Sequence, residues 1–441
     1  AVAGRRVTLG DPVSAGARDQ ANGPQPDVEF ELRAAPGEVS ILPGAATRVW
    51  RFDARLIKGP ADTLRQLPGS YLGPVIQLRR GQRVRVRFRN QLAEDSIVHW
   101  HGLDVPEAAD GHPRLAVGHG HDYVYDFEVT NRAGTYWYHP HPHMRTGAQV
   151  YQGLAGLLIV KDPDEDRLAL PSGEAELLCV IQDRRFDARN QLVFHGAGMM
   201  EMMNGFLGDR VLVNGVPQPT IDVDAGWLRI RLLNGSNARI YKLAWTKDLP
   251  ALLIGGDGGL LEHPRQQRVL TLAPAQRADL LLDLTGIPAG SAVHLESLAF
   301  PEADAGIVGM RGMMGGGGSS TPNGAPLRVL TLRTRAWIRR LPKSSNVERS
   351  PHNGRATRTR RAARRRTSSR SRSTSKRTAI GPRRWERYFT SATATTMTRP
   401  RGACRSGMRR SSATLCRKVG RDAASRAKRR CSRMSRSIGP V

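Results

Sequence analysis

Two histidine pairs carry the spacing and the neighbours of a metal site. Eight of the twelve histidines of this 441-residue chain lie between positions 99 and 143, and four of them form the pairs His99/His101 and His139/His141. Side chains alternate in direction along a strand, so both imidazoles of a His-x-His pair point to the same side. Neutral imidazole binds copper, zinc and iron alike. The pairs therefore predict a metal site and leave the metal open.

A lone histidine in a β-rich protein is usually a surface residue or a hydrogen-bonded core residue. The aromatic residues beside both pairs, Trp100 and the run 136–138 (YWY), favour the metal interpretation instead. His119 and His121 share the spacing, but they lie in a glycine turn with no strand to orient them, so we leave them out of the site. The other isolated histidines are interpreted as structural: His112, His195, His263, His294 and His352.

Short strands separated by turn residues must position these histidines. Runs of alternating or β-branched residues, broken by Gly, Pro and Asn, occupy positions 28–32, 48–52, 84–88, 123–129, 134–138 and 154–160. Many short strands with almost no helical periodicity are typical of a β-sandwich or barrel. The sequence therefore predicts an all-β Greek-key sandwich over this part of the chain.

One segment of this pattern recurs later in the chain. Residues 84–87 (VRVR), followed by Asn90, are matched by residues 228–231 (LRIR), followed by Asn234. Further strand-like runs lie at 251–254, 268–272, 279–284, 293–298 and 327–332. The simplest interpretation is two copies of one fold.

The formal charge of +29 is confined to the end of the chain. Residues 331–441 carry 34 Lys and Arg against 3 Asp and Glu, so the first 330 residues are close to neutral. This Arg/Ser-rich segment lacks interleaved aromatic residues and any nucleic-acid-binding motif, so we expect no specific nucleic-acid partner. No run of about 18 apolar residues predicts a membrane span. Residues 1–26 contain no apolar leader, which fits a trimmed N-terminus.

Several strings together resemble one family. Residues 99–102 (HWHG), 110–111 (DG), 134–141 (GTYWYHPH) and 153–157 (GLAGL) resemble the first cupredoxin domain of bacterial multicopper oxidases, the laccase and cuprous oxidase group. Residues 212–215 (LVNG), 231–237 (RLLNGSN) and 272–274 (LAP) resemble the second domain. The resemblance covers roughly residues 28–335. It implies tandem cupredoxin-like Greek-key β-sandwich domains, at 27–165 with copper ligands and at 166–335 without a copper site.

The resemblance also implies a cofactor and a role for each residue. The cofactor is a trinuclear copper cluster, with His99 on its single copper and His101, His139 and His141 on the coupled pair. Asp110 matches an acidic residue that assists proton delivery to dioxygen, and His143 has no ligand role. The reaction couples one-electron oxidation of phenols, aromatic amines or Cu(I) to reduction of O2 to water. The implied location is periplasmic or secreted.

The family's third domain, with four more cluster histidines and the Cys-containing copper site for electron entry, is not recognisable here. Beyond residue 331 the only histidine is His352, and Cys404, Cys416 and Cys431 have no histidine beside them. We interpret residues 336–441 as an aberrant tail, a third domain read out of frame. A chain with half of the cluster ligands could be inactive. A noncatalytic copper-binding protein is the alternative, and a two-domain oxidase that completes its cluster between subunits is disfavoured.

Methionines form a second feature with two interpretations. They are Met199, Met200, Met202, Met203, Met310, Met313 and Met314. Thioether sulfur suits Cu(I), so they could bind that ion. Loop and gap-filling methionines are the plainer interpretation.

Overall fold

The computed structural model describes residues 24–194, 205–301 and 321–336, all within one compact unit of the chain. The predicted N-terminal segment up to residue 23, both methionine groups and the basic tail from residue 337 lie outside the described residues. The regular secondary structure of the described part consists mainly of β-strands, with a few short helices. The prediction of an all-β fold with tandem cupredoxin-like sandwiches is confirmed for it.

The first half contains two sheets that face each other. Its strands are β1 (Val28–Val39), β2 (Thr47–Lys58), β3 (Leu64–Arg65), β4 (Val75–Arg79), β5 (Arg83–Asn90), β6 (Val98–His101), β7 (Asp122–Glu128), β8 (Gly134–Pro140) and β9 (Gly156–Lys161). One sheet has the order β2-β1-β5-β7 and the other the order β3-β4-β9-β8-β6. Alternate apolar residues of both sheets fill one core, in which Trp100 and Tyr138 are fully buried. Strand β6, which carries the first histidine pair, therefore lies at a sheet edge.

The second half repeats this arrangement with more strands. They are β10 (Glu176–Arg184), β11 (Arg210–Val213), β12 (Val216–Pro217), β13 (Thr220–Asp224), β14 (Trp227–Asn234), β15 (Tyr241–Trp245), β16 (Ala251–Gly256), β17 (Gly259–Gln267), β18 (Val269–Leu272), β19 (Arg277–Asp283), β20 (Ala292–Ser297) and β21 (Leu327–Arg335). They form sheets of order β12-β11-β10-β14-β19-β16-β17 and β13-β21-β20-β15-β18. A separate apolar core lies between these sheets.

The repeat seen in the sequence extends to strand pairing. Strand β5 is parallel to β1 and antiparallel to β7, and β14 is likewise parallel to β10 and antiparallel to β19. The side-chain oxygen of Asn90 accepts the backbone N–H two residues ahead, and the oxygen of Asn234 does the same. Each asparagine thus closes the turn that follows its strand. Equivalent residues have equivalent structural roles in the two halves.

A buried ionic network joins the two halves. Arg231 of β14 bonds to the carboxylates of Glu165 and Glu176 and donates to the Thr135 hydroxyl of β8 at 3.1 Å. Arg229 shares Glu165 and also pairs with Asp279 of β19. Burial raises the pKa of Asp279, but the two guanidiniums outweigh it and hold this pKa below its usual value. Every member except Glu176 is almost fully buried, so this seam, the contact between the two halves, tolerates little movement between the strands that it joins.

Two short helices depart from the purely strand-based expectation. They are α1 (Thr146–Gln152) and α2 (Pro163–Leu168). Helix α2 starts at the Asp162 side chain, which accepts the N–H of Glu165, and Pro163 occupies its first position. Six or seven residues are too few to reveal a helical period in sequence.

Candidate metal centre

The two histidine pairs lie on adjacent strands and in register. Strands β6 and β8 are antiparallel, with His99 opposite His139 and Trp100 opposite Tyr138. Opposite residues in such a pair share a face, so the indole and phenol point into the core while the imidazoles point away from it. The backbone N–H of His141 donates to the carbonyl of Ile97 at 2.9 Å and continues this alignment past the end of β8.

The four imidazoles converge on one spot. The ring centroid of His99 lies 5.5 Å from that of His101, 5.3 Å from that of His139 and 5.4 Å from that of His141. The His139 centroid is 5.4 Å from that of His101 and 6.1 Å from that of His141. The structure thus brings together all four histidines predicted to bind metal.

His99 is oriented by the turn that contains Asp110. Its Nδ1 lies 2.7 Å from the backbone carbonyl oxygen of Asp110 and 3.2 Å from the carboxylate Oδ1 of the same residue. A donated Nδ1–H leaves Nε2 free as a ligand atom. The turn requires glycine at position 111, because φ is +79° there and a Cβ would collide with the Val98 carbonyl oxygen. The pair Asp110-Gly111 therefore positions His99, and the Asp110 side chain is 47 % exposed.

His101 and His139 direct ring nitrogens at each other. His101 Nδ1 lies 3.2 Å from His139 Nε2, and the other nitrogen of His139 lies 2.9 Å from the carbonyl oxygen of Pro140. The Pro140 contact fixes Nδ1 of His139 as the donor, so its Nε2 presents a lone pair. Metal–imidazole bonds of about 2.0–2.1 Å, as for zinc, place two nitrogens on one ion about this far apart.

The Nδ1 atom of His141 is buried and has no hydrogen-bond partner. A buried polar atom without a partner is costly unless something outside the chain satisfies it. The ligand atoms of His99, His101 and His139 also lie within 4.8 Å of one another. These observations fit a metal ion held by imidazole nitrogens, a donor set that suits copper, zinc or iron.

The surroundings keep the imidazoles of His101 and His139 neutral. The Trp137 ring lies 4.2 Å from the His139 ring and 5.0 Å from the His101 ring, centroid to centroid. Burial is the largest cause that lowers the pKa of His101 to about 4, and the guanidinium of Arg277 is the next. Burial also holds the pKa of His139 well below its usual range. Both rings are therefore unprotonated at neutral pH, the state that binds metal.

Arg277 is a member of this environment that the sequence did not reveal. It comes from β19 of the second half, more than 130 residues from either histidine pair. A single arginine following residues 272–274 has no distinguishing pattern, so only the tertiary fold identifies it.

The other histidines have structural partners or lie elsewhere. His112 Nδ1 accepts the backbone N–H of Arg114, His119 Nδ1 contacts the Leu92 carbonyl, and His294 Nδ1 contacts a threonine hydroxyl. His121 and His143 are exposed. His195 and His352 lie outside the described residues.

The described cysteine does not contribute to the site. Cys179 of β10 is fully buried in the apolar core of the second half. Burial raises the pKa of its thiol to about 12. At neutral pH it is a protonated core side chain, whereas a copper ligand must be a thiolate. The three other cysteines lie outside the described residues.

Comparisons with known proteins match the part of the chain that contains these histidines. A family model described as multicopper oxidase matches residues 52–165, which include all four histidines. A multicopper oxidase of Staphylococcus haemolyticus is 36 % identical over 217 residues, 49 % of this chain and 48 % of that protein. The cell division protein FtsP of Escherichia coli is 34 % identical over 248 residues, 56 % of this chain and 49 % of that protein. The chain thus spans about half the length of these curated relatives.

A solved structure agrees as well. The McoA multicopper oxidase of the hyperthermophile Aquifex aeolicus matches with a TM-score of 0.58 and 35 % identity, over 71 % of this chain and 62 % of that chain. Its match is longer than that of the family model and reaches beyond the first half of the described residues. Both the sequence matches and the fold therefore show that the described part of this chain is similar to the first domains of multicopper oxidases.

Proposed function

We propose that this chain is the copper-binding part of a laccase-like oxidoreductase, which couples one-electron oxidation of small donors to the reduction of O2 to water. The observation that carries the proposal is the convergence of four imidazoles, within 6.1 Å between neighbouring centroids, on one face of β6 and β8. His99 would hold one copper, and His101, His139 and His141 would hold ligand positions of a coupled pair.

Reduction of dioxygen consumes four electrons and four protons, whereas each donor supplies one electron. Bound copper supplies the one-electron redox steps that collect these electrons. The residues of the chain keep the imidazoles of His101 and His139 neutral, fix the tautomers of His99 and His139 through the Asp110 and Pro140 carbonyls, and cover one side of the site with Trp137. The half-exposed Asp110 carboxylate links the His99 side of the cluster to solvent and is our candidate for proton delivery.

The donors that we propose are phenols, aromatic amines or Cu(I), in a periplasmic or secreted protein. The case for Cu(I) depends on the methionines outside the described residues. Among the described residues no helix is long and apolar enough to cross a membrane.

The remaining cluster ligands must come from elsewhere. Within residues 24–194, 205–301 and 321–336, one cluster of possible metal ligands is found, formed by His99, His101 and His139. We infer that an intact third domain is encoded in another reading frame of the gene for residues 336–441. Sequencing the gene across the codons for residues 325–345 tests this, since an uninterrupted frame without a His-Cys-His triplet downstream would refute it.

A noncatalytic copper-binding protein is the second candidate. The histidine cluster lies at a sheet edge, and the described thiol is too deeply buried to bind an electron-entry copper. Some relatives are named as cell division proteins, which is compatible with a role other than oxidation.

Copper loading followed by oxygen consumption separates these functions. The full chain is loaded with Cu(II) and dialysed, copper per chain is measured, and O2 uptake is followed with a phenolic donor. His139→Gln serves as the site variant and His294→Gln, outside the cluster, as its matched control. Copper binding with O2 uptake supports the oxidase. Copper binding without uptake supports the noncatalytic candidate if a chain expressed with the third-domain reading frame restored also binds copper and takes up no O2. Absence of bound copper, or equal binding by both variants, contradicts both.

A further inference from the structure

Among the described residues, the second half provides no histidine to the cluster, yet two of its buried arginines, Arg231 and Arg277, bond to β8, and Arg277 also lies beside the end of β6. Arg277 is the first residue of β19 and only 6 % of its surface is exposed. Its Nε donates to the backbone carbonyl of Thr135 in β8 at 3.1 Å. The carbonyls of Ala275 and Asp257 accept from its terminal nitrogens at 3.0 Å each. The guanidinium is thus fixed by backbone oxygens from both halves.

The same guanidinium lies against the end of β6. Gly102 directly follows His101 and has a φ of +91°. A Cβ at Gly102 would lie 2.7 Å from Nη2 of Arg277 and 3.0 Å from Cδ1 of Tyr136. The Arg277 Cζ is 5.9 Å from the Tyr136 ring centroid. The space above the turn is therefore filled by the guanidinium and the phenol ring, so the backbone after His101 has little room to shift.

We propose that Arg277 is a positioning residue of the histidine cluster, because its guanidinium contacts the turn at Gly102 and bonds to β8 at Thr135, and so holds the His101 ring against the His139 ring. The inference rests on the proposed copper function and extends it, since it gives the half without ligands a defined part in the metal site. Arg277 supports the backbone that carries the metal ligands and does not itself bind metal. Loss of a residue that supports metal ligands weakens metal binding by about 10- to 100-fold.

The competing explanation is that Arg277 only stabilises the contact between the two halves and has no effect on the histidine cluster. Arg231 also bonds Thr135, through the hydroxyl group, and Arg132 donates to the carbonyl of Leu260 across the same seam at 3.0 Å. Neither contact reaches the turn at Gly102. The two roles therefore predict different results for substitutions of Arg277 and Arg132, although both arginines bond across the seam.

The test compares Arg277→Met with Arg132→Met as the matched control in the full chain. Asp257→Asn is a milder variant, because it removes the ion pair at 3.0 Å and leaves the Thr135 and Ala275 bonds in place. The Asp257 carboxylate is half exposed, and after its loss the buried guanidinium keeps the backbone carbonyls that accept from it. Cu(II) is titrated against a competing chelator well below each unfolding temperature, and the electron paramagnetic resonance spectrum of the bound ion is recorded.

We expect Arg277→Met to raise the Cu(II) dissociation constant at least about 10-fold and to change the spectrum. Arg132→Met should leave both unchanged, and Asp257→Asn should have a smaller effect than Arg277→Met. Unaltered copper affinity and spectrum in Arg277→Met, with only a lower unfolding temperature, would overturn the proposal.

Crystal structures of the copper-free proteins test the positioning separately from copper binding. The His101–His139 centroid distance, 5.4 Å here, should increase in Arg277→Met, and an unchanged distance would also overturn the proposal. Failure of the unaltered chain to bind copper would instead contradict the proposed function.

Discussion

Replacing Asp110 separates two contacts that the same residue makes with His99. The backbone carbonyl is the shorter contact at 2.7 Å, and the carboxylate, 3.2 Å away, is 47 % exposed. Asp110→Asn keeps the carbonyl and removes the charge. Half-exposed charge contacts contribute about 0.2–1 kcal/mol, so Cu(II) affinity should fall by no more than about fivefold. If the carboxylate delivers protons, O2 turnover should fall much more than affinity.

Gly111→Ala perturbs the other contact. A methyl group at this positive φ would collide with the Val98 carbonyl, so the turn must shift and take the Asp110 carbonyl away from His99. Loss of such a partner costs about 10- to 100-fold in metal affinity. Gly111→Ala should therefore lower Cu(II) affinity more than Asp110→Asn does, whereas Asp110→Asn should lower O2 turnover by more than it lowers affinity.

The assay is competitive Cu(II) titration of the full chain at one pH, with circular dichroism to show that each variant is folded. O2 uptake with a phenolic donor is measured on the same samples. A loss of more than tenfold in affinity for Asp110→Asn would refute the assignment of the carbonyl as the orienting contact. A folded Gly111→Ala with unaltered affinity would refute it equally.

Three other predictions concern stability and the cysteine. Between pH 6.5 and about 4 the unfolded chain binds a proton on His101 that the folded protein excludes. The free energy of unfolding of the copper-free chain, measured by urea titration, should therefore decrease as the pH is lowered from 6.5 to about 4. The decrease should be roughly 1–2 kcal/mol for this partly exposed ring, and it should be smaller in His101→Gln. Arg231→Met leaves three carboxylates, those of Glu165, Glu176 and Asp279, with Arg229 as their one remaining guanidinium in this network, and should cost about 3–5 kcal/mol by urea unfolding. Arg33→Met at an exposed ion pair should cost less than about 1 kcal/mol, and equal costs would contradict the role of the buried network. Cys179→Ala should leave copper content and spectrum unchanged, because its thiol is protonated in the core, and loss of copper would show that this thiol is a ligand.

The local sequence pattern was sufficient to predict the strands and the convergence of the histidines. Alternation along β6 and β8 determines that both members of each pair share a face, and the turn residues indicate where the strands end. The matched runs at 84–87 and 228–231 identified strands with equivalent pairing, because both bury one side and pair the other with acidic residues.

Contacts between residues far apart in the chain could not be predicted from the sequence. Arg277 reaches the cluster only after β19 folds against β8, and residues 272–277 contain nothing that indicates this contact. The Arg229–Arg231 network is visible in sequence as two basic residues, but their acidic partners come from α2, β10 and β19. Asp110 was predicted through family resemblance, whereas the structure adds that its carbonyl is the nearer contact to His99.

The most direct test of the account is anomalous diffraction at the copper absorption edge from crystals of the copper-loaded full chain. The account predicts a peak at bonding distance, about 2.0–2.1 Å, from imidazole nitrogens of the pairs on β6 and β8. Crystals that show copper only at other histidines, or none between these strands, would contradict it.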